Sequence, residues 1–221
     1  MNLRLPLALS ALLIGAMAAI SAWAWTRLPE NAVIATHWSL GGKVNGTMSK
    51  DWGLAVMPAT ALAITLLLAA IPRIEPRRDN MIASRKAFLA VWLSALAVML
   101  VAHALVVGAA LGYPVDVPGV LIILLPVSIA VAGNYLGKAR PNFFIGVRTP
   151  WTLSSDLSWE KTHRMLGRLF VLSALVVLAT RFAIGVDAAY LALAGTITAS
   201  ALLAIASSYV FWKNDPVRRT N

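Results

Sequence analysis

Among the stretches of this chain that run for more than twenty residues without a charged side chain are residues 5–26, 52–72, 117–137 and 188–212. As helices rising 1.5 Å per residue, about 20 apolar residues cross the ~30 Å hydrocarbon core of a bilayer, so each stretch is long enough to span. Charged residues make up 13% of the chain, against about 25% in soluble domains. So few charges cannot cover a water-facing surface, and the solvent for most of this chain is lipid. Two further spans complete the pattern. Residues 87–115 hold a helix and part of a loop marked by Tyr113, Pro114, Pro118 and Gly119. Residues 169–180 form a shorter uncharged run between Arg168 and Arg181, extended to about Gly185 with both arginines snorkelling toward the interfaces. The fold class expected is all-α: a polytopic membrane bundle of six transmembrane helices.

Orientation follows from the basic residues, which favour the cytoplasmic side of short loops. Arg27, Lys43, Lys50 and Arg181 fall on one side of the alternating spans, and the other 15 of the 19 Lys and Arg fall on the opposite side. This places both termini in the cytoplasm, at the inner membrane. The net charge of +10 reads as a topology signal and as attraction to anionic lipid heads, with no direct nucleic-acid partner. Trp23, Trp25, Trp52 and Trp212 stand at span ends, as in an interfacial aromatic belt. There is no cysteine, which excludes disulfides and thiolate catalysis. The first span exceeds the ~7–15-residue core of a signal peptide, and we expect it to be retained.

Two units are expected, 1–76 with two helices and an outer loop, and 77–221 with four helices and a long inner loop. In the outer loop, Gly41-Gly42 suits a tight hairpin turn, and Asn45-Gly46 is a second turn signal. A small hairpin and an irregular polar connector both fit. In the inner loop, Pro141 and Pro150 exclude a continuous helix. Ser155 or Asp156 can cap a helix that runs into the fifth span. On that helix Trp159 and His163 share a face, as do Glu160 and Arg164. Phe143, Phe144, Ile145 and Trp151 are too apolar for a free linker, so the segment is expected to fold back on the bundle or the lipid surface.

The inner loop resembles the SdpI family of bacterial immunity and signalling membrane proteins. The residues that carry the resemblance are Gly133, Asn134, Pro141, Asn142, Gly146, Arg148, Thr149, Pro150, Trp151, Thr152, Trp159, Thr162, His163 and Arg164. The outer loop is similar to the small domain that often precedes them, through Leu28-Pro29, His37-Trp38, Gly41 or Gly42, and Lys50. One departure is Asn45, where many relatives carry an acid, so no carboxylate role is expected there. The resemblance implies resistance to a secreted peptide toxin or envelope stress, and a tether for a cytoplasmic transcriptional repressor.

The residues themselves leave competing roles open. His37 and Trp38 suit contact with a peptide or lipid head; equally, Trp38 anchors the loop and His37 closes a turn. With Gly41, Asn45 and Lys50 they form the candidate outer binding set. Arg148, whose fork suits a carboxylate or phosphate, clamps the loop through Asp156 or Glu160, or meets a partner. His103 and Arg181 are the intramembrane polar candidates, functional or structural. Three scattered histidines are too few for a metal centre, and no cofactor is expected. Ser154, Ser155, Asp156 and His163 carry the letters of a hydrolytic triad without an oxyanion motif, so an enzyme is not expected. Gly108-x-x-x-Gly112 and Gly133-x-x-x-Gly137 suit close helix approach or chain turning. The alternative to immunity and signalling is a small transporter or channel-like component, with His103, Pro58 and Pro126 lining a path.

Overall fold

The computed structural model describes residues 1–217, so Arg218, Arg219 and the expected cytoplasmic C-terminus lie outside the described residues. In chain order the elements are α1 (Arg4–Trp25), β1 (Val33–Trp38), β2 (Val44–Ser49), α2 (Lys50–Ile74), α3 (Arg78–Ala83), α4 (Arg85–Ala110), α5 (Val117–Leu136), α6 (Pro150–Ser154), α7 (Asp156–Ala183) and α8 (Val186–Lys213). Six of the helices are long and apolar enough to cross a bilayer. The protein is a multi-pass membrane protein with an all-α bundle. Its outward faces carry residues such as Leu12, Leu66, Leu67, Leu191 and Leu202, each more than half exposed. That pattern suits lipid as solvent, where a helix satisfies its own backbone and needs no polar face.

The fifth span differs from the uncharged run that announced it. It begins at Asp156, capped by Ser155, whose hydroxyl accepts from the Ser158 N–H at 2.9 Å. Asp156 in the first turn complements the helix dipole. The spans pack in sequence, α1 against α2 and α4, then α4 on α5, α5 on α7 and α7 on α8. One cluster joins α1, α2 and α4 through Met17, Ala61, Phe88, Trp92 and Leu96, with Phe88 and Trp92 edge-to-face at 5.6 Å. A second cluster, nearer the strands, contains Ala24, Leu28, Ile34, Leu54, Val106 and Val107.

Small residues set the α5–α7 crossing. A Cβ on Gly167 would lie 2.5 Å from the Gly133 carbonyl oxygen, and a Cβ on Gly133 would lie 2.8 Å from the Gly167 carbonyl. Gly137 faces the Arg164 Cα in the same way, at 3.2 Å. Gly133-x-x-x-Gly137 is therefore a packing face, and Gly167 is its counterpart. The Gly108 pair turns the chain instead: Gly112 has φ +87°, and a Cβ on Gly108 would touch only Val115 Cγ1, at 3.9 Å. Gly167→Ala is expected to force the two helices apart and lower the thermal midpoint of the detergent-purified protein, by the ~1–3 kcal/mol typical of overpacking. Gly108→Ala, measured alongside, is expected to leave it unchanged or slightly raised, since Ala favours the helix.

Candidate functional sites at the two ends of the bundle

At one end the chain between α1 and α2 forms an antiparallel β-hairpin, not an irregular connector. Gly41 and Gly42 take φ of +85° and +72°, and the Ser39 N–H closes the turn on the Lys43 carbonyl at 2.8 Å. Asn45-Gly46 is not a second turn. It lies within β2, where Gly46 pairs with His37 at a register shift. A Cβ on Gly46 would sit 2.9 Å from the His37 Cβ, so the ring needs glycine opposite. His37 is exposed, with Nδ1 2.5 Å from the Asn45 Oδ1. The amide oxygen can only accept, so Nδ1 carries the proton.

The rest of the hairpin-end residues tie the hairpin down. Trp38 is half-buried against the second cluster, and Ile34 seats over Gly53 of α2. Lys50 is buried: its ammonium donates to the Leu28 carbonyl at 2.7 Å and lies over the Trp25 ring. The Gly41 N–H donates to Asp187 Oδ1 at 2.6 Å, joining the hairpin tip to the start of α8. Asp187 was not singled out from the sequence. Its one signal was an isolated acid at the head of the last apolar run. His37 and Asn45 thus form the exposed polar pair of this end.

At the other end, residues 137–149 are neither helix nor strand, and their backbone groups are met by side chains. Asn142, fully buried, accepts from the N–H groups of Phe144 and Ile145 and donates to the Arg140 carbonyl. Asn80 donates to the Pro141 carbonyl, and the Arg140 N–H donates to Ser84. Glu75 is buried with one carboxylate oxygen accepting from the Arg77 N–H at 2.8 Å and the other from the Phe143 N–H at 2.9 Å. Arg77 lies over the Phe143 ring and donates to the Leu153 carbonyl. Glu75, Arg77, Asn80 and Ser84 come from the connection between α2 and α4. They escaped sequence reasoning because nothing in their spacing says which backbone they meet.

His163 closes the segment onto α7. It has no exposed surface, and its ring stacks on Trp159 with centroids 4.0 Å apart. The Val147 N–H donates to Nε2 at 2.9 Å, and Nδ1 is 2.8 Å from the Trp159 carbonyl. An amide cannot accept and a carbonyl cannot donate, so the ring is the neutral Nδ1–H tautomer. A Cβ on Gly146, at φ +102°, would fall 2.0 Å from Nε2, which explains the glycine. Trp159 Nε1 donates to the Ala139 carbonyl at 2.8 Å.

Beyond it, Thr149 and Thr152 make a capping box for α6, with Pro150 in the first turn, and Thr149 reaches Ser208 of α8 at 3.1 Å. Trp151 meets Tyr209 edge-to-face at 5.2 Å. Ser155 donates to Asp215, just past the end of α8, at 2.5 Å and Ser158 to the Ser208 carbonyl of α8 at 2.7 Å, so the last turns of α8 and the chain after them hold the segment too.

Arg148 does clamp the loop, though not through an acid. It donates to the Phe143 carbonyl at 2.8 Å, while Glu160 pairs with Arg164 one turn along α7. Arg148, Asn134 and Arg164 are exposed. The triad letters do not form a triad, since both nitrogens of His163 face backbone groups and Ser155 caps α7. His103 is buried where α1, α2 and α4 meet: Nε2 is 2.9 Å from Ser21 Oγ, which is 2.8 Å from the Leu54 carbonyl. Arg181 sits half-buried in the last turn of α7.

Both ends fall in stretches shared with known proteins. Residues 138–211 match the SdpI/YfhL protein family, and residues 12–62 match a domain of unknown function, DUF1648. The chain is homologous to the immunity protein SdpI of Bacillus subtilis (strain 168), with 24% identity over 161 residues, 72% of each chain. No solved structure matches.

His163→Ala strands the Val147 N–H at a buried site, at a cost of about 1–3 kcal/mol, while the Trp159 carbonyl keeps its helical bond. We expect limited proteolysis to cut this variant between Pro141 and Trp159 at a protease dose that leaves the unmodified protein intact. Rapid cutting of the unmodified protein there contradicts a fixed segment.

Proposed function

We propose that the protein is a membrane immunity protein of the SdpI type, with a peptide toxin or envelope stress met at the hairpin end and a cytoplasmic regulator engaged at the other. The kinship supplies the immunity class. The observation that carries the two-ended reading is that α8 holds both sites. Its first turn receives the hairpin tip at Asp187, its last turns receive the non-helical segment at Ser208, and Asp215 just past its end receives Ser155. At 1.5 Å per residue its 28 residues extend ~42 Å, enough to cross a bilayer. A shift of α8 at one end is thus felt at the other. Signalling by this route requires two arrangements of α8 that a ligand binds unequally.

The roles divide accordingly. His37 and Asn45 supply the exposed polar contact outside, with Trp38 beside them as the apolar one. Gly41 and Lys50 set the hairpin's pose. Inside, the guanidinium of Arg148 meets an acidic group of the regulator, and His163, Asn142 and Trp159 position the segment that presents it. The basic asymmetry of the loops puts the N-terminus, the α2–α4 connection and residues 138–155 in the cytoplasm. Reporter fusions at Asp79 and Asp156 are expected to read cytoplasmic, and one at Gly42 external. An external signal at Asp156 overturns this orientation.

The functional test uses a toxin-sensitive host expressing the unmodified protein or a variant, with survival and regulator recruitment scored separately. His37→Ala is expected to reduce survival at unchanged membrane levels. Arg148→Ala is expected to abolish recruitment and spare survival. Asp187→Ala is expected to uncouple them, so that recruitment no longer follows toxin. If expressing and non-expressing cells respond alike to peptide toxins and envelope stress, while proteoliposomes show substrate flux, the protein is a transporter instead.

A further inference from the structure

Between α5 and α7, on the lipid-facing side of their glycine crossing, lies an open groove of about 570 Å³. Its floor is made by Gly133, Gly137 and Gly167, because the absence of side chains there lets the helices touch and leaves a valley above the contact. Its two ends differ in chemistry. One is lined by Lys138, Arg164 and Arg168, the other by Val171, Leu172 and Leu175. No acidic side chain lines it.

From this arrangement we infer that the groove binds one anionic phospholipid, its phosphate at the three cations and an acyl chain along the α7 wall. Three features select this occupant. The cations do not cancel internally: Glu160 offsets Arg164, but Arg168 has no acidic partner among the described residues, and the Lys138 ammonium is held at the mouth over the Tyr135 ring at 5.5 Å. The spacing also fits. From Arg164 to Leu175 the helix rises ~16 Å, about half of the ~30 Å hydrocarbon core, so the stripe spans one leaflet. Finally, Leu172 and Leu175 are each more than half exposed, so the apolar wall is open to a chain. Arg168 stands four residues deeper along α7 than Arg164, where an unpaired guanidinium is costly unless an anion meets it. Basic pockets between transmembrane helices take anionic headgroups for these reasons. The inference does not rest on the immunity reading.

The test is lipid retention by the full-length, detergent-purified and delipidated protein, read by native mass spectrometry. The probes are phosphatidylglycerol and phosphatidylcholine with the same acyl chains, and glycerol 3-phosphate as the soluble headgroup. Phosphatidylglycerol is expected to be retained at least about fivefold over phosphatidylcholine, and Arg168→Gln to lower that retention about fivefold, the worth of one basic residue near a lipid surface. Arg168→Lys, which keeps the charge, is expected to keep the preference. Arg85→Gln, an exposed basic residue on α4 outside the groove, is expected to leave it unchanged. Leu172→Trp, which fills the acyl path with every cation in place, is expected to lower phosphatidylglycerol retention. Equal retention of the two lipids, equal loss with Arg85→Gln, no effect of Leu172→Trp, or competition by glycerol 3-phosphate at the lipid's own concentration would each overturn the site.

Discussion

A peptide group in hydrocarbon has no water to bond, and every other feature of this protein is arranged around that constraint. Six segments meet it by coiling into helices that satisfy their own backbones. Irregular backbone appears only toward the ends, and there it is supplied with partners. The strands bond to each other, and residues 137–149 are bonded by side chains. Glu75 is the clearest case. A buried carboxylate is expensive unless hydrogen bonds replace its water, and its two oxygens take the N–H groups of Arg77 and Phe143. Asn142 and His163 do the same work with neutral groups.

The same constraint makes α7 the central element. Its first turns carry Trp159 and His163, which fasten the irregular segment, and Gly167 follows one turn later against Gly133. A ring that must accept from one amide and donate to one carbonyl leaves no room for a second purpose. His163 is therefore better described as a positioning residue than as a contact for a partner. Its neighbour Arg148, held at only one carbonyl, keeps donors in hand for another acceptor. The hairpin end shows a similar division, with Lys50 consumed by structure and the His37–Asn45 pair left in the open.

α8 gives the two ends a common member. Its contacts with the hairpin tip and with Ser158 at the start of α7 are polar and short, so they are directional in a way that lipid-facing leucines are not. Between them, Ser173 of α7 faces Ser200 of α8 at 3.3 Å. Neutral polar pairs of this kind fix the register of neighbouring helices within hydrocarbon without burying charge.

The sequence by itself determined the number of spans and the loops between them, and it offered the turn at Gly41-Gly42 and a helix start at Ser155 or Asp156. Each of these is a local property, set by the length of an apolar run, by a φ that glycine tolerates, or by a hydroxyl three residues from an N–H. Local pairs were equally legible, as with Trp159 on His163 and Glu160 with Arg164, because helical spacing fixes them. Asn45-Gly46 misled for the matching reason: a turn dipeptide was absorbed into β2 once His37 needed a glycine opposite it. What only the tertiary structure decided are the partners that lie far apart in sequence: Asp187 at Gly41, Glu75 at Phe143, Val147 at His163 and Gly167 at Gly133. An apolar helix presents nearly equivalent faces to its neighbours, so its pattern says that it packs but not against what. The bonds that select one arrangement form only when distant backbone and side chains have already been brought together.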